Sequence, residues 1–223
     1  MKRNAGTDAP AKVFIVDDHP LVRQGLALLI DQQQTLAVVG EAADGPQALA
    51  GIERTRPDLA IIDIGLQGMD GLELAKCLRK QQPRVKVLVL SMFDEVVYAE
   101  RALRAGARGY IMKQEANQEL LNAIQRVLAG KIYLSEALSS MLLESAASGR
   151  GAAGSLPARR LTDRELEILR LIGQGRKNQE IAAAAGLSNK TVQAYKENIK
   201  KKLHLRNSAE LLRYAMQGNE RKR

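Results

Sequence analysis

The stretch LAIIDIG (residues 59–65) runs four apolar residues into a carboxylate, Asp63. Burying a charge is costly unless something pairs with it. An acid closing a β-type apolar run therefore asks for a compensating partner at that strand's carboxyl end. Outward from it, residues 12–129 alternate short β-rich runs with longer helical patterns. The strand candidates are KVFIV (12–16), LAVVGEA (36–42), LAIID (59–63), VKVLVLS (85–91) and GYIMK (109–113). Between them lie helical patterns at 20–33, 45–56, 70–81 and 94–106, and another follows at 116–130. Most of the strands are nearly continuous apolar runs, as in a parallel sheet covered on both faces. Five βα units predict a doubly wound α/β domain with strand order 2-1-3-4-5.

In such sheets ligands bind beyond the carboxyl ends of the strands. Asp17 and Asp18 follow the first strand, Asp63 ends the third, Ser91 ends the fourth and Lys113 follows the fifth. The predicted order makes the first and third strands neighbours, which brings Asp17, Asp18 and Asp63 into one pocket. Carboxylates that close do not all stay ionised without a cation. Oxygen ligands in a small, partly hydrated site suit Mg²⁺. A carboxylate held by a metal and a lysine then serves as a nucleophile toward phosphorus. Asp44, Asp58 and Asp70 are read as turn formers, and His19, alone before Pro20 at a helix start, as local structure.

FIVDDHPLVRQGL (14–26), IIDIGLQGMDG (61–71), VLVLSMFDE (87–95) and GYIMK (109–113) resemble the receiver domain of two-component response regulators, specifically the NarL/FixJ subfamily. The resemblance implies that Asp63 accepts a phosphoryl group from a histidine kinase. It implies Mg²⁺ bound by Asp18 with Asp17 assisting, joined by Asp63 and the backbone carbonyl of Gly65. It gives Lys113 the phosphoryl oxygens, has Ser91 hydrogen-bond the new phosphate, and has Tyr110 change rotamer in concert. The chain departs from the pattern at Gln67, where receivers commonly carry proline. It departs again at Met92, bulkier than usual and expected to shield the aspartyl phosphate from water.

The chain has 223 residues and 45% hydrophobic content, enough for two domains with real cores. Its single Cys77 excludes an internal disulfide framework. The N-terminal apolar run is short and ends in acids, unlike a signal peptide. No apolar stretch approaches membrane-spanning length. A cytoplasmic protein that does not engage a membrane is expected.

The net charge of +9 is unevenly placed. Residues 1–155 hold 18 Lys+Arg against 18 Asp+Glu, and residues 156–223 hold 16 against 7. The excess points to a polyanion partner for the C-terminal part. Three parts are expected: a receiver at 1–129 with its core at 12–129, a linker at 130–158 with a helix at 135–146, and an all-α DNA-binding domain at 159–223. The linker's AASGRGAAGSLPARR (146–160) has flexible-tether composition.

In LTDRELEILRLI (161–172), Thr162 and Glu165 have the spacing of a capping box. In NQEIAAAAGLSNKTVQAYKENIKKKL (178–203), Ala182, Gly186 and Val192 have helix-turn-helix spacing, and Ser188 is placed to cap the second helix. Val192, Ile199 and Leu203 share one face of that helix; Lys190, Ala194, Glu197 and Lys201 share the other. A polar, cationic outer face suits the major groove of double-stranded DNA.

Residues 161–216 resemble the LuxR-type helix-turn-helix. That resemblance points to Gln193, Ala194 and Glu197 as base-contacting residues. Lys190, Thr191, Lys196 and Lys200 become phosphate contacts, and the last helix, with Leu211, Leu212 and Met216, a dimerisation element. A homodimer on promoter DNA, or once phosphorylated, is the expected assembly. Enzyme readings are weaker. Asp-nucleophile phosphatases usually place a second acid where this chain has Gly65, and no Gly-rich phosphate loop is present. With 3% aromatics and no Trp, a single-strand binder has little to stack on.

Overall fold

The computed structural model describes residues 9–66, 68–147 and 161–220. Most of the linker composition at 146–160, and Gln67, lie outside them. Two compact units form. Described residues up to Met92, with Ala102–Leu134, make the first; Phe93–Arg101, with those from Ser135 onward, make the second. The first runs past residue 129, where the sequence places its end. The second unit takes in part of a helix from the predicted receiver stretch.

The first unit is a parallel sheet of β1 (Ala11–Val16), β2 (Leu36–Ala42), β3 (Leu59–Ile62), β4 (Lys86–Ser91) and β5 (Gly109–Met112), in the order β2-β1-β3-β4-β5. That is the predicted order. Helices α1 (Pro20–Asp31), α2 (Gly45–Thr55), α3 (Gly71–Gln81), α4 (Glu95–Ala105) and α5 (Ala116–Leu128) alternate with the strands. Val13, Ile15, Ile61 and Leu88 bury one sheet face with Ile30 of α1 and Ile124 of α5. Phe14 faces the other way, its ring against Gly40 and Gly51, where a Cβ would come within 2.5 Å of it. Both faces are covered, which is why the strands read as unbroken apolar runs.

Register sets the functional end. Val16 pairs with Ile62, and the Asp63 amide donates to the Val16 carbonyl, so the chain leaves β1 and β3 side by side. Ser91 pairs with Met112, and the Lys113 amide donates to the Ser91 carbonyl. Asp44 and Asp70 cap α2 and α3 by accepting from the Gln47 and Glu73 amides, and Asp58 accepts from the Lys12 amide. Beyond α5, Tyr133 bridges to Gly109 and adds a short strap to the β5 edge. Its hydroxyl donates to Glu119.

The second unit contains α6 (Glu136–Ala147), α7 (Asp163–Gly173), α8 (Asn178–Ala185), α9 (Asn189–Leu203) and α10 (Ser208–Glu220). Its apolar cluster draws Leu166, Ile168 and Ile172 from α7, Ile181 and Ala182 from α8, Val192, Ile199 and Leu203 from α9, and Leu211 from α10. The Thr162–Glu165 capping box forms at α7. Gly186 ends α8 at φ +62°, in the left-handed conformation that glycine takes without a Cβ penalty. Ser188 then caps α9 by accepting from the Thr191 amide.

Candidate functional site

At the carboxyl ends of β1, β3, β4 and β5, Asp17, Asp18, Asp63, Ser91 and Lys113 gather as the sequence places them. Lys113 Nζ lies 2.6 Å from Asp17 Oδ2 and 2.8 Å from Asp63 Oδ2. That answers what balances the acid at the end of LAIIDIG. Asp17, Asp63 and Ser91 are buried, and the Asp18 side chain is about one-fifth exposed. Asp17 is further tied down: its Oδ1 accepts from the His19 amide and its carbonyl from Arg23.

Burial pushes the Asp63 carboxyl above the usual carboxylate range, and Lys113 opposes this without cancelling it. Burial also works to discharge Lys113, but Asp63 and Asp17 outweigh it and hold its pKa above the ordinary lysine value. The pocket therefore holds more acid than one lysine balances. Asp63 Oδ1 is buried without a hydrogen-bond partner, and Asp18 Oδ1 has nothing closer than the His19 ring, 2.7 Å away. Asp17, Asp18, His19 and Asp63 bring ligand atoms within 4.8 Å of one another. An orphaned Asp63 oxygen in a converging set of carboxylates fits a hard divalent cation.

The surroundings of the pocket refine the sequence reading. His19 is half local structure: its amide closes a turn on Asp17, and its ring Nδ1 then lies 2.7 Å from Asp18 Oδ1. Gly71, at the start of α3, lies so close to the Asp63 backbone that a Cβ there would sit 2.1 Å from the Asp63 carbonyl oxygen. The loop carrying Gly65 is pinned in turn by the Gly71 amide on the Ile64 carbonyl. Tyr110 is fully buried in β5, its amide donating to the Tyr133 carbonyl. Met92 is 37% exposed beside buried Ser91.

On α9, Val192, Ile199 and Leu203 are buried as expected, while Lys190, Gln193 and Ala194 are exposed. The outer charges are partly balanced within the second unit. Lys200 Nζ is 2.9 Å from Glu197 Oε1, and Gln193 donates to the same carboxylate oxygen at 3.2 Å. Lys196 donates to Asn178 Oδ1 from α8, and burial lowers its pKa. Thr191 pairs its hydroxyl with Ser188 at 2.8 Å. Among the described residues, Lys190 and Lys201 make no ion pair. Sequence reasoning passed over Asn178. It also reaches Gln193, at a long 3.4 Å, so it organises two outward side chains of the next helix.

Comparison with known proteins covers both units. Residues 13–125 match the response regulator receiver domain family, and residues 159–215 the bacterial regulatory proteins of the luxR family. The oxygen regulatory protein NreC of Staphylococcus epidermidis is 36% identical over 210 residues, 92% of this chain and 96% of the relative. Among solved structures, RcsB from Salmonella enterica serovar Typhimurium, bound to promoter rprA in the presence of phosphomimetic BeF3-, superimposes with a TM-score of 0.70. It is 28% identical and covers 93% of this chain and 98% of its own. A LuxR-family two-component response regulator from Aurantimonas is 34% identical with a TM-score of 0.58, over 62% of this chain and 99% of its own.

Proposed function

This chain belongs to the response regulators that join a receiver domain to a luxR-type DNA-binding domain, and from that premise we propose that Asp63 is its phosphoacceptor and α9 its recognition helix. As a family member it is a two-component DNA-binding transcription regulator, not a conventional enzyme. The observation that carries the proposal is Asp63 itself. It is buried, with one oxygen held by Lys113 and the other without a partner beside Asp17 and Asp18. The Asp63 carboxylate attacks the phosphorus of a kinase phosphohistidine; the P–N bond breaks as the P–O bond forms. Asp18, Asp17, Asp63 and the Gly65 carbonyl would hold Mg²⁺, which when bound would neutralise part of the phosphoryl charge.

Lys113 then passes from Asp63 to the phosphoryl oxygens, and Ser91 donates to them. The added charge of roughly −1.5 to −2 shifts the Lys113 and Ser91 contacts, and Tyr110 follows. Met92 screens the acyl phosphate from water. This local change biases a bistable receiver face and governs dimerisation, release of the helix-turn-helix, or both. Gln193, Ala194 and Glu197 face base edges; Lys190, Thr191, Lys196 and Lys200 face phosphates. Exposed Leu212 and Met216, four residues apart on α10, suit a homodimer contact between DNA-binding domains. Two half-sites about one helical turn apart would be engaged together. Among the described residues no helix is long and apolar enough to cross a membrane, and we place the protein in the cytoplasm.

Incubation with radiolabelled acetyl phosphate and Mg²⁺ tests the core of this. Wild type becomes labelled and Asp63→Asn does not. Labelling that persists in Asp63→Asn overturns the assignment.

A further inference from the structure

The opposite end of the same sheet carries a second concavity. It lies at the amino ends of β4 and β5, is broadly open to solvent and has a volume of about 470 Å³, within the size range of small-molecule sites. Arg79, Arg84, Lys86 and Arg108 line it, and no Asp or Glu does. Two of these cations are held in place. Arg79 lies across Gly106, where a Cβ would meet its Cδ at 2.8 Å, and donates to the Arg104 carbonyl at 2.9 Å. Lys86 Nζ donates to the Leu128 carbonyl at 2.8 Å. The Arg84 and Arg108 side chains make no ion pair or hydrogen bond among the described residues. Val85, Val87, Leu103 and Ile132 supply apolar wall between the charges.

Four cations around one hollow repel one another, and none is matched with a carboxylate. An incoming anion gains from that uncompensated positive charge. Guanidinium forks take phosphate oxygens two at a time and stack on flat rings, whereas a lysine acts as a point charge. Three arginines beside an apolar wall suit a molecule with neighbouring phosphates on a flat, uncharged body. We propose that the first unit binds a small organic diphosphate, of nucleoside diphosphate class, between Arg79, Arg84, Lys86 and Arg108. The site is separate from the acid pocket, at the other end of the strands, and needs no Gly-rich loop because side chains supply the donors.

Calorimetric titration of the full chain with ADP in EDTA tests this, since chelation keeps metal-bridged binding at the acid pocket out of the signal. One saturable site is expected, tighter for ADP than for pyrophosphate and absent for adenosine. Arg84→Gln/Arg108→Gln, which removes no folded-state side-chain partner, weakens ADP binding at least tenfold. Lys190→Gln/Lys201→Gln on the DNA-facing helix leaves it unchanged. Four outcomes overturn the proposal: no saturation by about 1 mM ADP, full affinity retained in the arginine variant, loss of binding in the lysine variant, or pyrophosphate binding as tightly as ADP.

Discussion

Lys113 and Lys200 each sit beside a carboxylate, at 2.8 and 2.9 Å, yet the two pairs live in different media. The Lys113 side chain is 9% exposed and faces acids that are 2% and 5% exposed, drawn from strand ends far apart in the chain. The Lys200 side chain is 16% exposed, but Glu197, facing it from three residues away on one helix, is 47% exposed, so that pair is wetter. A buried ion pair is strongly coupled because removing one member strands the other without water. A surface pair is screened and replaceable. The pocket is thus built to respond to a change of charge, and the helix to tolerate one while it meets a polyanion.

The largest effect belongs to the buried pair. Lys113→Met leaves Asp17 and Asp63 facing each other uncompensated and is expected to lower stability by about 3–5 kcal/mol. Denaturant unfolding at neutral pH measures it. A loss no larger than the roughly 0–1 kcal/mol of a surface pair would erase the contrast. Next is Gly71→Ala. Its Cβ meets backbone, the Asp63 carbonyl, so the β3–α3 loop must move and take Asp63 with it. A loss of about 1–3 kcal/mol with slowed acetyl-phosphate labelling is expected. Gly45→Ala is the comparison: its nearest contacts are Met69 side-chain atoms, Sδ at 2.7 Å and Cβ at 2.8 Å, where Gly71 meets backbone, so it should lose less. Equal losses would show that the loop yields freely.

Glu165 stands between the two extremes. It is buried, which works to raise its pKa, but Lys202 at 2.7 Å and the Thr162 cap outweigh that and lower it. A carboxylate depressed on folding stabilises fully above its unfolded value, here near 4.5, and the gain is lost as pH falls through the folded value. Unfolding followed by circular dichroism should therefore show stability declining below about pH 4.5, with Glu165→Gln flattening that decline by about 1 kcal/mol. An unchanged acid profile in the variant would place the sensitivity elsewhere.

The same contrast explains what was legible in the sequence. Strands packed on both faces leave unbroken apolar runs, and the order β2-β1-β3-β4-β5 then puts Asp17, Asp18 and Asp63 at adjacent strand ends. The capping box at Thr162 and the turn at Gly186 were equally plain, because both are local. Missed features depend on contacts with no periodicity. The Tyr133 strap is a single bridge, so the first unit runs on to Leu134. The His19 ring reaches Asp18 only because its amide is held by Asp17. Asn178 matters through its distance to Gln193 and Lys196, which no spacing rule on one helix reveals.

The smallest effect is the most discriminating for the cationic helix. Read as a sequence, Glu197 is a base-contacting residue of the outer face; in the structure Lys200 and Gln193 occupy the same oxygen, Oε1. Lys190, with no ion pair, should behave as a simple phosphate contact. Lys190→Ala lowers affinity alike on all sequences and reduces the salt slope by about 1. Lys200→Ala removes a cation and also unmasks Glu197, so it should weaken DNA binding more than Lys190→Ala does. The excess is about 0.5–1 kcal/mol, limited by solvent screening. Adding Glu197→Ala to Lys200→Ala should recover that excess and no more, a coupling that a double-mutant cycle isolates. If the two changes add without coupling, the pair separates when DNA arrives, and Glu197 meets the groove as a bare carboxylate.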